Sequence, residues 1–320
     1  PSGGTAGYTY SWSNSQTTQT ISGLAAGTYT VTVRDANNCS TTSSVTITQP
    51  SAVAASISAS SNVSCYGGNN GTATAAGSGG TSPYTYSWSN SQSTQTATGL
   101  TSGTYTVTVR DANNCSSTTS VTINQPTQIA VSMSQNNVAC NGGNTGTATA
   151  TPSGGTPGYT YSWSNTQTTQ TATGLTSGTY TVTVRDANNC SITSSVTITQ
   201  PTAVSASISS STNVSCNGGS NGSATVSASG GTPSYTYTWS NSQTTATATN
   251  LAAGTYTVTV KDNNNCSTTT SITITQPTAL NASFSATNTS CNGGTNGTAT
   301  ATPSGGTSPY TYYWFPSAQT

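Results

Sequence analysis

The 320-residue chain is 31% hydrophobic and 2% charged, with four Lys or Arg, four Asp, no His and a net charge of zero. Such a chain lacks the basic surface that nucleic acids or anionic membranes require, so neither is an expected partner. General acid/base catalysis needs titrating groups within hydrogen-bond reach of one another, whereas the four carboxylates lie about one repeat apart; no enzyme, cofactor or metal centre is expected.

In chain order, residues 1–50 hold a short strand ending at Trp12, a turn, a strand through Tyr29, the loop sequence DANNC ending at Cys39, and a closing strand before Pro50. This order then recurs. Trp12, Trp88, Trp163, Trp239 and Trp314 are 75 or 76 residues apart, and Pro50, Pro126, Pro201 and Pro277 keep the same step. A period this long exceeds the ~20–50 residues of common solenoids and suits a small domain in tandem. It divides the chain into a back portion (1–50), three full units (51–126, 127–201 and 202–277) and a front portion (278–320).

The unit at 127–201 shows six short strands. Residues 129–134 are strand-like and lead into the glycine-rich loop NNVACNGGNTG with Cys140. Ala148 and Ala150 face inward from 147–151, and PSGGTPG turns the chain. Tyr159, Tyr161 and Trp163 then alternate with Thr and Ser, 169–175 runs back, 179–184 is the central strand, and 194–199 closes the unit. Within the central strand, Tyr105, Val107 and Val109 of the preceding unit alternate with threonines, so one face is apolar and the other hydroxylated. The expected fold is all-β, a tandem array of small immunoglobulin-like β-sandwiches. The Leu-x-x-Gly-Thr-Tyr spacing before Tyr29, Tyr105, Tyr180 and Tyr256 suggests a tyrosine corner, in which the hydroxyl bonds back to upstream backbone. These tyrosines and the five tryptophans are the expected core aromatics. Proline at each boundary stiffens the link, so a rod is expected.

A core this thin needs a staple. Cys39, Cys115, Cys190 and Cys266 follow the central strand, while Cys65, Cys140, Cys216 and Cys291 sit in the glycine-rich loop. Two per repeat, without Cys-x-x-Cys or His, reads as a disulfide framework rather than zinc. Pairing inside each unit (Cys65–Cys115, Cys140–Cys190, Cys216–Cys266) closes one small domain and removes denatured-state entropy of roughly 4 kcal/mol, leaving Cys39 and Cys291 unpaired. Pairing across each junction, Cys39 with Cys65 and onward, would use all eight; spacing leaves the choice open.

Other features have plain readings beside functional ones. Asp111, Asn113 and Asn114 offer oxygens to calcium, but one carboxylate is few for six to eight ligands, and an Asx-turn suffices. Arg110 and Asp111 point opposite ways, and exposed pairs of such groups contribute little. The Tyr159, Tyr161 and Trp163 ladder stacks on sugars only if exposed, and its alternation places it in the core. CNGG and CYGG lack the strand-loop-helix context of a phosphate loop. Asn62-Val63-Ser64 and Asn213-Val214-Ser215 are glycan acceptor triplets, and O-linked sugars would solubilise an uncharged surface.

Taken together, CNGG-x-x-G-x-A-T-A, SGGT-x-x-YTYSW, the GTYTVTV strand ending in DANNC, and VTITQP resemble the SprB-type repeat of bacterial cell-surface adhesins. The resemblance implies a long extracellular surface protein of gliding Bacteroidota-type bacteria, exported by type IX secretion and gripping substrata, with no catalytic residues. The expected function is a structural, adhesive stalk whose partners are neighbouring repeats or chains and surface polysaccharide or glycans. No apolar run nears the ~20 residues of a membrane span, no signal peptide opens the sequence, and with both ends in mid-repeat such signals are expected outside it. Two alternatives are a carbohydrate-binding array and a self-associating fibre in which residues 278–320 of one chain complete residues 1–50 of another. Against the fibre, 303–320 and 1–18 cover the same Trp strand.

Overall fold

The computed structural model describes residues 1–315, all of whose regular elements are β-strands. The chain divides into two compact units, Pro1–Ile129 with Gly154–Pro157, and Ala130–Ser153 with Gly158–Thr320.

In the first unit, β1 (Thr9–Trp12), β2 (Gly27–Arg34) and β3 (Ser40–Ile47) form one antiparallel sheet in that order. A complete sandwich follows. Its first sheet joins β4 (Ala54–Ser61), β5 (Gly71–Ser78) and β7 (Thr96–Leu100); its second joins β6 (Thr85–Trp88), β8 (Gly103–Arg110) and β9 (Ser116–Ile123). The second unit holds two more sandwiches of the same order. In one, β10 (Ala130–Asn136), β11 (Gly146–Ser153) and β13 (Thr171–Leu175) face β12 (Thr160–Trp163), β14 (Gly178–Arg185) and β15 (Ser191–Ile198). In the other, β16 (Ser205–Thr212), β17 (Gly222–Ser229) and β19 (Thr247–Leu251) face β18 (Thr236–Trp239), β20 (Gly254–Lys261) and β21 (Ser267–Ile274). A two-stranded sheet, β22 (Asn281–Thr287) with β23 (Thr298–Ser304), ends the series. The all-β, immunoglobulin-like expectation holds.

Each sandwich has its own core. Around Trp163 lie Ala148, Ala150 and Ala172 from one sheet and Val182, Val184, Val196 and Ile198 from the other, with Val138 and Leu175 closing the ends. Alanine on one inner face meets valine on the other, so the sheets sit close without needing many large side chains. Trp88, Trp163 and Trp239 are at most 3% exposed. Trp12 is only half-buried and Trp314 is 58% exposed, which corrects the expectation that all five are core: neither has the full pair of sheets around it.

Polar atoms inside the sandwiches are satisfied locally. The Trp163 indole N–H donates to the Thr169 carbonyl (2.8 Å), closing the turn that follows its own strand. The amide of Gln167 pairs in both directions with the backbone of Thr173, acting as a one-residue strand neighbour. Tyr180 donates to the Thr176 carbonyl (3.1 Å) and Tyr256 to Ala252 (3.2 Å), four residues upstream in each case. A second tyrosine, Tyr235, donates to the Gly230 carbonyl (2.7 Å) and pins the SGGT turn. Among the described residues no buried side-chain nitrogen or oxygen lacks a partner. On the outer face, hydroxyl pairs such as Thr179–Thr197 (3.1 Å) bridge neighbouring strands.

The first and last strands of a sandwich lie side by side. At the end of β10, Val138 N–H donates to the Thr199 carbonyl just past β15 (3.0 Å), and Thr199 N–H donates to Asn137 Oδ1 (2.9 Å). The same pair of bonds joins Val214 and Asn213 to Thr275. First and last strands therefore end at the same pole, where the glycine-rich loop also sits.

Replacing Trp163 by Ala should cost its sandwich about 3–5 kcal/mol, the usual cost of truncating a large buried aromatic. Urea unfolding followed by near-UV dichroism checks this; a change under 1 kcal/mol would mean that the indole is not the centre of that core.

Candidate functional site: the two cysteine loops

At one pole of each sandwich, the loop after the central strand is organised by an aspartate. Asp262 is 3% exposed. Its Oδ1 accepts from the backbone N–H groups of Asn264 and Cys266 (both 2.9 Å), and Oδ2 accepts from Thr232 N–H of the SGGT turn (2.8 Å). Asp262 N–H and the Cys266 carbonyl close the loop (3.0 Å), with Asn265 in the left-handed region at φ 64°. Asp111 is engaged in the same way by Asn113, Cys115 and Thr81. Both carboxylate oxygens thus serve backbone donors rather than facing outward for calcium. Arg110, Arg185 and Lys261 beside these aspartates are exposed. Gly231 is needed for the contact: at φ 60°, a Cβ there would stand 2.4 Å from Asp262 Oδ2.

The Thr232 N–H bond, ahead of those from Cys266 and Asn264, holds the Asp262 carboxyl below its ordinary value against the opposing effect of burial. Asp35 is lowered likewise, first by Thr5 N–H and then by Cys39.

At the other pole, the glycine-rich loop turns through a bond from Gly143 N–H to the Cys140 carbonyl (3.0 Å). It is tied down by the glutamine of the boundary Gln-Pro pair: Gly142 N–H donates to Gln200 Oε1 (2.7 Å), and Asn141 Nδ2 donates to the Pro201 carbonyl (3.1 Å). Gly218 and Gln276 repeat this bond (2.8 Å), as do Gly67 and Gln125 (2.8 Å). Read as a linker, the Gln-Pro pair gave no sign of this task; its constant distance of 58 residues from the loop glycine is the signal that could have shown it.

Cys140 is bonded to Cys266, 126 residues away, with a Cα separation of 5.5 Å. The bridge joins the glycine loop of one sandwich to the aspartate loop of the next. Asn264 Nδ2 reinforces it by donating to the Ala139 carbonyl (3.1 Å) and to Thr232 Oγ1 (3.0 Å). Cys65 and Cys190, one from each loop type, are also disulfide-bonded, whereas Cys39, Cys115, Cys216 and Cys291 are free and exposed.

Neither pairing expected from the sequence is found. Cys140 is not joined to Cys190, Cys65 and Cys115 do not pair because Cys115 is free, and Cys216 is free instead of meeting Cys266; the junction alternative of Cys39 with Cys65 fails because Cys39 is free. The reason is length. Within one sandwich the two loops flank β15, whose eight residues at about 3.3 Å each hold them roughly 25 Å apart, whereas bonded cysteines have Cα atoms within about 7 Å.

Among the described residues no cluster of three His, Cys, Asp or Glu could hold a metal, and no helix is long and apolar enough to cross a membrane. The Trp163 indole lies inside the core, unavailable for stacking on a sugar.

The SprB repeat profile matches residues 57–93, 132–168, 208–244 and 283–319. This chain carries four SprB repeats. Each match starts in the first strand of a repeat and ends five residues past its tryptophan in sequence, so the profile covers the glycine loop, the SGGT turn and the tryptophan. No curated protein sequence matches the SprB-repeat chain. Among solved structures, the three N-terminal domains of the bacteriophage RB49 highly immunogenic outer capsid protein share 16% identity at a TM-score of 0.33, covering 72% of this chain and 99% of theirs. Sidekick-1 immunoglobulin domains 1–5 share 13% at 0.31, covering 84% and 74%.

Two outcomes test the loops. Because the native Asp262 carboxyl is lowered, its contribution to stability is complete above the ordinary carboxylate value of about 3.9 and is lost as pH falls through the lower native value; Tm should be flat from pH 7 to 5 and drop below 4, and Asp262→Asn should flatten part of that drop. Non-reducing proteolytic mapping should recover Cys140 linked to Cys266, and a Cys140–Cys190 peptide would overturn the bridge.

Proposed function

We propose that this chain is a non-catalytic, extracellular load-bearing segment of an adhesive surface protein. The cross-junction bridge carries this reading. A disulfide inside one sandwich would stabilise that domain only, whereas Cys140–Cys266 fastens consecutive sandwiches. It also gives tension a direct covalent route from residue 140 to residue 266. Disulfides persist in oxidising, extracellular surroundings, and a threonine-clad surface with few charges has little pH-dependent or salt-dependent chemistry for an environment to perturb.

The SprB repeats support a cell-surface location. Export by type IX secretion, participation in gliding motility and residence in a Bacteroidota-type bacterium belong to the same reading, motivated by the repeat type. Neighbouring repeats are its first partners. The boundaries 51–126, 127–201 and 202–277 are proposed as the mechanical units, flanked by 1–50 and 278–320.

Single-molecule stretching between the two ends tests the load path. With the bridge intact, Cys140 and Cys266 should stay together even after their two sandwiches unfold. Full reduction should then release the contour that the bridge hides, at an extended limit of about 3.5 Å per residue. Equal extension before and after reduction would remove the mechanical role.

A further inference from the structure

The glycine-rich loops contain a chemical weak point. Asn141 precedes Gly142 and Asn217 precedes Gly218. An Asn-Gly bond rearranges without an enzyme when its glycine nitrogen, which no side chain shields, attacks the preceding carboxamide carbon. The turn dictates the glycine. Gly143 N–H on the Cys140 carbonyl and Gly219 N–H on the Cys216 carbonyl (both 3.0 Å) close turns in which Gly142 stands at φ 73° and Gly218 at φ 79°, a conformation that suits glycine. Burial gives no shelter, because Asn141, Gly142, Asn217 and Gly218 are all exposed to water.

Hydrogen bonds hold both reacting groups instead. Gly142 N–H donates to Gln200 Oε1 (2.7 Å) and Asn141 Nδ2 to the Pro201 carbonyl (3.1 Å), so the attacking nitrogen keeps its proton and the carboxamide is turned to the boundary residues. In the next sandwich Gln276 holds Gly218 (2.8 Å) and the Pro277 carbonyl holds Asn217 (3.0 Å). A further pair there, Asn221-Gly222, is kept differently. Asn221 Oδ1 accepts from Ser215 N–H (3.1 Å), its Nδ2 donates to Ser215 Oγ (2.7 Å), and Gly222 is buried at the start of β17 opposite Leu251. Where the sandwich of residues 51–126 has Tyr66 in place of the asparagine, Gly67 N–H still meets Gln125 Oε1 (2.8 Å). The glutamine bond thus belongs to the fold of the loop, and beside an asparagine it has a second effect.

We propose that Asn141 and Asn217 are latent deamidation sites that the boundary glutamines Gln200 and Gln276 keep closed, so that opening of a glycine loop is recorded covalently. Once Gly218 is released, its nitrogen gives up a proton to solvent base and bonds to Asn217 Cγ. The carboxamide nitrogen leaves as ammonia, and water opens the resulting succinimide to aspartate or isoaspartate with no change of oxidation state. The step is one-way. The new carboxylate has no N–H to offer the Pro277 carbonyl, and isoaspartate lengthens the backbone by a methylene, so the loop does not regain its bonds. At Asn141 the altered residue stands beside Cys140, in the loop that the sulfur bridge and Asn264 fasten to the next sandwich.

The folded, oxidised chain kept in mildly alkaline buffer, then digested with pepsin for mass spectrometry, tests this. Asn217 should deamidate about tenfold more slowly than in the reduced chain in urea, the effect of one hydrogen bond on the attacking amide. Gln276→Ala should bring Asn217 close to the unfolded rate while Asn221 in the same sandwich stays at the parent rate. Gln276→Glu, which keeps an acceptor in the same place, should leave Asn217 slow. Gln200→Ala should release Asn141 in the same way with the Cys140–Cys266 bridge intact. Equal rates in the folded and unfolded chain, no acceleration at Asn217 in Gln276→Ala, or a joint rise of Asn217 and Asn221 would each overturn the proposal.

Discussion

Each sandwich begins at one pole and ends at the other, because its first and last strands run side by side in the same direction. The bonds from Val138 and Asn137 to Thr199 fix that alignment at the far pole. At the near pole, Gly231 N–H on the Thr202 carbonyl (2.9 Å) and Asp262 on Thr232 hold the first residues of the sandwich beside the aspartate loop. A chain that enters by one pole and leaves by the other brings unlike loops together where the sandwich of residues 127–201 meets that of residues 202–277. The glycine loop therefore meets the next sandwich's aspartate loop, and the sulfur bridge follows from that encounter.

The near absence of charge shapes how the loops are built. With only four Asp in 320 residues, Asp35, Asp111 and Asp262 are each used for a backbone task, taking three N–H groups at once and holding the SGGT turn against the cysteine loop. Side-chain amides and hydroxyls do the rest: Gln200 ties the glycine loop, Gln167 substitutes for a strand, and threonine pairs cross the outer sheet face. Such bonds are individually modest, about 1 kcal/mol net, but they recur in every sandwich, and no buried side-chain nitrogen or oxygen is left unsatisfied among the described residues.

The fold was largely legible in the residues. Period-two alternation around Tyr180, Val182 and Val184 placed the central strand, the inward Ala148 and Ala150 were read correctly, and the Thr/Ser alternation located the buried face of Trp163. The burial of Trp314 was read wrongly, because a repeat-wide pattern assigns the same environment to every copy of a residue. Burial depends on the facing sheet, which the complete sandwiches supply and residues 278–315 do not.

By itself the sequence determined the strands, their repeat, the two classes of cysteine and the scarcity of charge, since these depend on local alternation and composition. Only the tertiary structure decided which sulfur meets which. Cys140 and Cys190 look like natural partners along the chain, yet a strand of eight residues keeps them at opposite poles, while Cys266, far off in sequence, is brought within 5.5 Å by the direction in which consecutive sandwiches are threaded. Sequence separation measures the loop a bond would close, not the distance it has to cross.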